Sequence, residues 1–340
     1  MQIALILTGG TICSRTAPDG ARRSDVDTAL TVLEQHYRMT HPYSSVTFQV
    51  HMPLNRLSED LTPDDWCMLL RTIASLDCSQ LDGIIIAHGT DTLDQTAGML
   101  SAALCGISVP VVLVSAIAPL HEAQSNGHAN FDAAVKLILK HLCAGVWAVY
   151  ENSDGYMYLH RGFELLPCQH DSIDFFSSTM KTVDAVLEET ETCIPRTTCM
   201  DLQVLSDCFP PEVLLLRPYN GLRYDKIALT DVSAVVHGTY HSETANSTRF
   251  SPYAVQTLIQ RCQKAGIPCF LAPCSIHNQT YGSSFDLVQE GAIPLEAVTL
   301  PFAYGAVWVA CMHGFHGEAL ISRVRQIRQS LDSQCFLCCM

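Results

Sequence analysis

Basic side chains are scarce in this chain. Its 340 residues include 20 lysines and arginines against 34 aspartates and glutamates, which gives a formal net charge of −14. Nucleic-acid backbones are bound mainly through lysine and arginine, so this balance argues against a nucleic-acid partner. No apolar run reaches the roughly 18 residues that a membrane-spanning helix needs, so no membrane span is predicted.

The sequence also lacks a recognisable secretory leader and a dense cysteine framework. The first apolar run, Ile3–Leu7, has no basic start and meets Thr8-Gly9-Gly10 at once, so it has the length of a buried strand. A cytoplasmic location is therefore the default expectation. The 16 cysteines include one closely spaced group near the C-terminus, with no second pair to complete a zinc site. Neither a metal nor an organic cofactor is expected.

Short, continuous apolar runs recur along the chain. Runs of this kind are typical of strands that are buried on both faces. Helical patterns lie between them, and the order strand, helix, strand predicts an α/β protein with mostly parallel sheets flanked by helices. The runs are Ile3–Leu7, Gly83–Ala87, Val109–Val114, Gly145–Tyr150, Val213–Leu216, Ala234–Val236 and Ile267–Ala272.

The length of the chain favours two domains. The stretch between Glu188 and Pro211 is the weakest region for regular structure because it holds several prolines and threonines. The predicted organisation is an N-terminal α/β domain over residues 1–187, a linker over 188–210, and a C-terminal Rossmann-like α/β domain over 211–340.

A glycine-rich turn follows the first predicted strand. In open α/β sheets ligands bind beyond the carboxyl ends of the strands, so the segment Thr8-Gly9-Gly10-Thr11-Ile12 is well placed for a site. The glycines allow a tight turn, and the Thr11 hydroxyl could act there as a nucleophile. The alternative is a plain strand-to-loop turn. A dinucleotide fingerprint is excluded because the spacing Gly-x-Gly-x-x-Gly is absent.

A second polar motif follows the run Gly83–Ala87. In His88-Gly89-Thr90-Asp91-Thr92 a hydroxyl and a carboxylate are adjacent at a strand end. Thr90 could support a nucleophilic water, and Asp91 could hold an ammonium group or orient a base. The alternative is that Thr90 or Asp91 caps the helix that follows.

Together, these two motifs resemble the paired signature motifs of the bacterial-type L-asparaginases, most of all the cytoplasmic, type I branch. Leu57–Trp66 is similar to the family's substrate loop and the helix after it. Gln124–Asn130 is similar to its Asp-Gly-x-x-Asn segment, with Asn126 where the family usually has Asp. The resemblance extends over roughly residues 1–325 and identifies the chain as a divergent member.

The resemblance implies two α/β domains and the hydrolysis of a side-chain amide, of L-asparagine or a related small molecule, to carboxylate and ammonia. It also implies a homodimer or homotetramer in which neighbouring subunits complete each site. By position, Thr11 is the nucleophile and Thr90, paired with Asp91, is the second threonine. Asp91 would also bind the substrate ammonium.

The remaining substrate contacts are carried over in the same way. Ser58 would bind the α-carboxylate, and Glu59 would lie near the α-amino group. Gly89 belongs to the substrate-binding loop, and the backbone of Ala116 would face the leaving amide.

Two residues that the resemblance leads us to expect are missing. The family has a tyrosine that helps to activate the nucleophile, and Ala21 stands at that position. It also has a lysine that activates the second threonine, and Pro167 stands there. A positioned base contributes ~10²–10⁴-fold in rate, so either other residues replace these two or the protein has another task.

The segment Tyr240–Thr244 offers replacements. The corresponding loop in the family reaches an active site, often that of a neighbouring subunit. Here it carries Tyr240, His241 and Glu243, of which His241 is the natural candidate base because imidazole titrates near neutral pH. The alternative is a polar loop with a helix cap. On the entry loop, Arg22 and Arg23 either meet an anionic substrate or are simply solvated.

Three functions compete at this stage. The leading one is an asparaginase-type amidohydrolase with a divergent catalytic set. The second is a degenerate homologue that binds an amino acid as a sensor, which Ala21 and Pro167 motivate. The third is an amidotransferase-type protein that delivers ammonia to another enzyme, which the acidic charge disfavours.

Overall fold

The computed structural model describes residues 1–188, 207, 209–276 and 281–335. The predicted linker, 188–210, therefore lies mostly outside the described residues, and the division into two domains stays a prediction. Within the described ranges, no helix is both long enough and apolar enough to cross a bilayer.

The first half of the chain builds a seven-stranded sheet and a separate two-stranded hairpin. The strands are β1 (Gln2–Leu7), β2 (Ser14–Thr16), β3 (Arg22–Ser24), β4 (Thr47–His51), β5 (Gly83–Ala87), β6 (Pro110–Val114), β7 (Gly145–Glu151), β8 (Met157–Arg161) and β9 (Lys181–Thr182). β2 and β3 form the hairpin, and the sheet has the order β4-β1-β5-β6-β7-β8-β9. Its strands are parallel from β4 to β7, and the last two pairings are antiparallel.

Helices cover both faces of this sheet. They are α1 (Val26–Thr40), α2 (Pro63–Ala74), α3 (Leu93–Ala103), α4 (Gly127–Leu139) and α5 (Val183–Glu188). Alternate residues of β1 point to opposite faces, so Leu5 packs in one core with α1 and α4 while Ile6 packs in another with α2 and α3. This double burial explains why the strands read as continuous apolar runs.

A second sheet of four parallel strands follows. It consists of β10 (Val213–Leu216), β11 (Ala234–Gly238), β12 (Cys269–Ala272) and β13 (Ile293–Pro294), in that order. Its helices are α6 (Val255–Ala265), α7 (Gly282–Gln289), α8 (Leu300–Met312) and α9 (Gly317–Cys335). α6 and α7 pack on one face, and α8 and α9 pack on the other. The predicted α/β class and each of the predicted strands are confirmed.

Helices α3 and α8 meet almost backbone to backbone and join the two sheets through one core. A methyl group on Gly305 would lie 2.5 Å from the backbone nitrogen of Met99, and one on Gly98 would lie 2.9 Å from Cα of Phe302. Only glycine allows this approach at either position, because a real Cβ would collide with the facing helix.

The carboxyl ends of three strands lie side by side in the first sheet. Leu7, which ends β1, pairs with Ala87, which ends β5, and Ala87 pairs with Val114, which ends β6. The loops that follow these strands therefore leave the same edge, which is where parallel α/β sheets bind ligands.

Candidate active site

The two threonine motifs are in direct contact. A methyl group on Gly10 would lie 2.2 Å from both Cα and the backbone nitrogen of Gly89. The Thr8 hydroxyl donates a hydrogen bond to the Ala87 carbonyl at 2.9 Å and fixes the start of the first turn. Gly10 has a φ of +73°, which favours glycine. Thr11 and Thr90, the residues directly after the two glycines, therefore stand on touching loops.

The predicted substrate loop, which carries Ser58, packs against the second of these turns. A methyl group on Gly89 would lie 2.4 Å from Oγ of Ser58, and Ser58 is buried. The Thr92 hydroxyl donates to the Ser58 carbonyl at 3.0 Å. Thr92 also occupies the N-cap position of α3, so the alternative that Thr90 or Asp91 caps this helix is wrong. The structure thus brings Ser58, Gly89 and the two threonine turns together.

A buried carboxylate braces the predicted substrate loop. Oδ2 of Asp65 accepts hydrogen bonds from the Thr62 backbone N–H at 2.8 Å and the Thr62 hydroxyl at 2.7 Å. Oδ1 of Asp65 lies 3.0 Å from Nε of Arg56. The Arg56 carbonyl in turn accepts from the Gly10 backbone N–H at 2.7 Å. The sequence predicts for Asp65 only a place at the helix start, although the spacing Thr62-x-x-Asp65 is a capping-box signal.

Ala116 lies on the loop after β6, and its side chain is fully buried. The loop is pinned by Asn126, whose Oδ1 accepts from the Ile117 N–H at 3.0 Å and whose Nδ2 donates to the Glu151 carbonyl at 2.9 Å. An ionised aspartate could not donate to a carbonyl. The Asn at this position therefore makes a bond that the family's usual Asp could not make.

The predicted reactive side chains are accessible. Thr11 and Thr90 are half-buried, and Asp91 and Glu59 are exposed at the rim. Hydroxyls at the mouth of a turn, next to backbone N–H groups and a carboxylate, are the groups that acyl transfer requires. The chemical role of each of these residues stays a prediction.

Buried groups next to the threonines have shifted pKa values. Burial raises the pKa of Asp94 to about 6, against the lowering effects of its hydrogen bond from the Gln95 N–H and of nearby Arg217. Oδ2 of Asp94 is buried and has no hydrogen-bond partner among the described residues. Burial lowers the pKa of His88 to about 4, so its ring is neutral at pH 7, and its Nδ1–H donates to the Gly89 carbonyl at 2.8 Å.

The segment at the expected lysine position lies near the second threonine motif but carries no amine. Pro167 is followed by Cys168, whose thiol lies 3.4 Å from the Ser172 carbonyl. Burial raises the pKa of this thiol, and three carboxylates raise it further, those of Asp174, Asp91 and Asp94. A thiol in this field stays protonated and is a poor base.

Two other titratable groups of this region, Glu164 and His160, have partners of their own. Glu164 lies 3.6 Å from Arg161 and accepts a short hydrogen bond from the Thr179 hydroxyl. Burial lowers the pKa of His160 to about 4, and its Nδ1 is 2.9 Å from Oγ of Ser177. Both groups are therefore held by neighbours from their own segment.

Ala21 lies in the turn of the β2–β3 hairpin and is exposed. Its carbonyl accepts from the Ala17 N–H at 2.8 Å, which closes the turn. Both arginines beside it have carboxylate partners, since Arg22 is 3.5 Å from Glu122 and Arg23 is 2.7 Å from Asp19.

The segment Tyr240–Thr244 forms a tight turn after β11 and is braced by its own half of the chain. The Tyr240 N–H donates to the Thr244 carbonyl at 2.9 Å. The Glu243 carboxylate accepts from the Ser275 N–H at 2.5 Å, so it is already engaged. The rings of Tyr240 and His241 are exposed. Their proposed role as bases stays a prediction.

Within the part of the chain that the structure describes, no group of three or more metal-binding side chains comes together. The backbone turns, hydroxyls and carboxylates of this edge are the groups that could act on a small polar substrate.

Known proteins are similar to this chain over most of its length. A family model described as "Asparaginase, N-terminal" matches residues 2–195. One of the glutamyl-tRNA(Gln) amidotransferase subunits of Thermococcus kodakarensis is 25% identical over 318 residues, which cover 89% of this chain and 70% of that protein.

Two structures show the likeness of the fold. L-asparaginase I from Vibrio cholerae superimposes with a TM-score of 0.73 at 20% identity and covers 96% of this chain and 97% of its own. The probable cytoplasmic L-asparaginase from Campylobacter jejuni superimposes with a TM-score of 0.69 at 18% identity and covers 95% and 99%. At such identities the likeness concerns the fold, which is that of two-domain L-asparaginases.

Proposed function

The chain belongs to the asparaginase family, and on that premise we propose that it is an amidohydrolase that converts the side-chain amide of L-asparagine, or of a related amino-acid amide, to carboxylate and ammonia. The observation that carries this proposal is the contact of Gly10 with Gly89. It supports a single site in which Thr11 and Thr90 act on one substrate beside Ser58.

The roles follow from the chemistry of each group. The Thr11 oxygen attacks the amide carbon, and backbone N–H groups of the touching turns stabilise the oxyanion. The proton lost by the Thr11 hydroxyl passes to the amide nitrogen, so that collapse of the tetrahedral intermediate expels ammonia past the backbone of Ala116 and leaves an ester on Thr11. Water, oriented by Thr90, then hydrolyses the ester. Asp91 binds the substrate ammonium.

Substrate recognition uses the loop after β4. Ser58 donates its hydroxyl proton to the α-carboxylate, and Glu59 faces the α-amino group. The brace from buried Asp65 to Arg56 supports this assignment, because it ties the substrate loop to the Gly10 turn.

A second copy of the chain completes the site. Ala21 and Pro167 supply no base, whereas the exposed rings of Tyr240 and His241 are free to reach a neighbouring copy. Several aromatic side chains after β10 are exposed, and a second copy could cover them. They are Tyr219, Tyr240, Phe250, Tyr253, Tyr281 and Phe285. The protein is therefore a cytoplasmic homodimer or homotetramer in this proposal.

The test is ammonia release from asparagine, glutamine and a panel of small amides, with aspartate or glutamate measured as the second product. Turnover of asparagine with equimolar ammonia and aspartate supports the proposal. No product from any amide, in a sample whose oligomeric state has been verified, contradicts it.

The alternative within the same site is an amino-acid-binding protein without turnover, which Ala21 and Pro167 favour. It predicts saturable heat of binding for aspartate or asparagine in calorimetry, with no ammonia after long incubation. Rapid ammonia release excludes this alternative.

A second candidate function is that of an ammonia-supplying component of a larger enzyme, and the relative named as part of an amidotransferase favours it. The net charge of −14 disfavours a tRNA partner. Filter binding with tRNA at low salt distinguishes the two, because this candidate requires retention of tRNA and the amidohydrolase proposal predicts none.

A further inference from the structure

The hairpin that follows Thr11 is short and pairs with no other described strand. β2 and β3 have three residues each and, among the described strands, pair with one another alone. Isolated hairpins of this size are at best marginally stable in water. The hairpin begins at Ser14, whose hydroxyl donates to the Thr11 carbonyl at 2.9 Å. This bond links the start of the hairpin to the backbone of Thr11.

Two carboxylates outside the hairpin hold it: Asp25, whose Oδ2 lies 2.7 Å from Nε of Arg15, and Glu122, which comes from a distant loop. Oε1 of Glu122 accepts from the Thr16 hydroxyl at 2.9 Å, and Oε2 lies 3.5 Å from Nη2 of Arg22. Thr16 and Arg22 are direct partners in the antiparallel register, so their side chains share one face of the hairpin. Oε2 also accepts from Nε2 of Gln124 at 2.6 Å, which orients the carboxylate.

Glu122 lies on a loop that is held by several hydrogen bonds of its own. Its N–H donates to the Pro119 carbonyl at 2.9 Å, and its carbonyl accepts from the Ser125 N–H at 3.0 Å. The Ser125 hydroxyl donates to the Ala118 carbonyl at 2.7 Å. This loop begins just after β6 and carries Ala116.

The ion pair is also partly shielded from solvent. The side chain of Glu122 is 21% exposed and that of Arg22 is 46% exposed. Since the same carboxylate also accepts from Thr16 and Gln124, the arrangement is a small network, which stabilises more than an isolated surface pair does.

We propose that Glu122 is a positioning residue that latches the β2–β3 hairpin, and with it the turn of Thr11, to the loop of Ala116. The attachment of the hairpin by Glu122 does not depend on the proposed function, whereas its effect on catalysis rests on that function. Glu122 touches no reacting atom in this account.

Hydrogen–deuterium exchange tests the latch without any substrate. In Glu122→Ala we expect the amides of residues 14–24 to exchange roughly tenfold faster, because a charge-assisted bond and an ion pair are lost. Glu318→Ala, which removes an equal charge from the exposed start of α9, should leave these amides unchanged. Equal exchange of the hairpin in wild type and Glu122→Ala overturns the latch.

A double-mutant cycle tests whether Arg22 is the residue through which Glu122 holds the hairpin. Arg22→Ala should accelerate exchange in the wild-type background and add little in the Glu122→Ala background, because the two side chains act through one contact. Fully additive effects overturn the assignment of Arg22 as the partner of Glu122.

Kinetics then test the catalytic consequence. With asparagine as substrate, Glu122→Ala should lower kcat roughly tenfold and leave KM within about twofold, because the latch positions the nucleophile and not the ligands of the substrate's head group. Glu122→Gln, which keeps an acceptor for Thr16, should recover part of the loss. Faster exchange in Glu122→Ala with an unchanged kcat overturns the positioning role. If the wild type itself shows no turnover but Glu122→Ala still exchanges faster, the result counts against the proposed function alone.

Discussion

At the residue scale, Asp64 and Asp65 show what a sequence leaves open. Both are acids in the first turn of α2, where a carboxylate is favoured by the helix dipole. In the structure Asp64 is exposed, whereas Asp65 is buried and accepts hydrogen bonds from Thr62 while pairing with Arg56. The spacing Thr62-x-x-Asp65 predicts that Asp65 caps the helix that begins at Pro63, but not that Asp65 also pairs with Arg56.

Replacing Asp65 by Ala should lower the free energy of unfolding by about 2 kcal/mol, because the cap and the pairing with Arg56 are lost together. Asp64→Ala is the matched control and should change it by less than about 0.5 kcal/mol. Urea unfolding measures both. Equal effects of the two variants would show that Asp65 has no special part in the brace.

At the element scale, the strands follow from the sequence because burial on both faces leaves a continuous apolar run, as in Gly83–Ala87. Helix α6 begins a few residues later than its sequence indicates. Ser251-Pro252 indicates a helix start, but the helix begins at Val255 because residues 251–254 first form a turn in which the Ala254 N–H bonds the Ser251 carbonyl. A β-turn and the first turn of an α-helix have similar residue preferences, so composition alone does not distinguish them.

The contact between α3 and α8 is not visible in the sequence, since Gly98 and Gly305 each lie in an ordinary apolar stretch. Gly305→Ala should lower the free energy of unfolding by roughly 1–3 kcal/mol, because the added methyl group collides with the backbone of Met99. Gly282→Ala, where nothing lies within 4 Å of the added group, is the control and should be nearly neutral. A Gly305→Ala variant as stable as wild type would mean that the helices can separate freely.

At the scale of the whole molecule, three buried histidines couple stability to pH. Burial lowers the pKa of His88, His160 and His237 from 6.5 to about 4 in each case. The folded chain keeps these rings neutral while the unfolded chain protonates them below about 6.5. Their contribution is therefore fully present above pH 6.5 and is lost as the pH falls toward 4. Asp94, with a raised pKa, acts in the opposite sense but is a single group.

His160→Asn should reduce the loss of unfolding free energy between pH 6.5 and 4.5 by up to about 1.4 kcal/mol per pH unit, because one proton-binding difference is removed. Denaturant unfolding at several pH values measures the slope. His316→Asn is the control, since the His316 ring is exposed in the folded chain as well as in the unfolded one. An unchanged slope in His160→Asn would contradict the linkage.

The parts of the site that directly follow strand ends can be predicted from the sequence, and the parts that depend on a second copy cannot. Adjacent strand ends bring the Thr11 and Thr90 loops together, and the position of each motif directly after a strand already predicts a shared edge. A single copy of the chain does not bring a base to Thr11 from the Tyr240 turn, because hydrogen bonds hold this turn within its own half of the chain. In our proposal, Tyr240 acts in the site of another copy of the chain.

The central claim is that Thr11 is the nucleophile of an amidohydrolase. The most direct test is ammonia release from asparagine by wild type, Thr11→Ala and Thr31→Ala, where Thr31 is an exposed threonine of α1 that serves as the matched control. We predict turnover in wild type and Thr31→Ala and a loss of at least roughly 10³-fold in Thr11→Ala. An unchanged rate in Thr11→Ala would contradict the account.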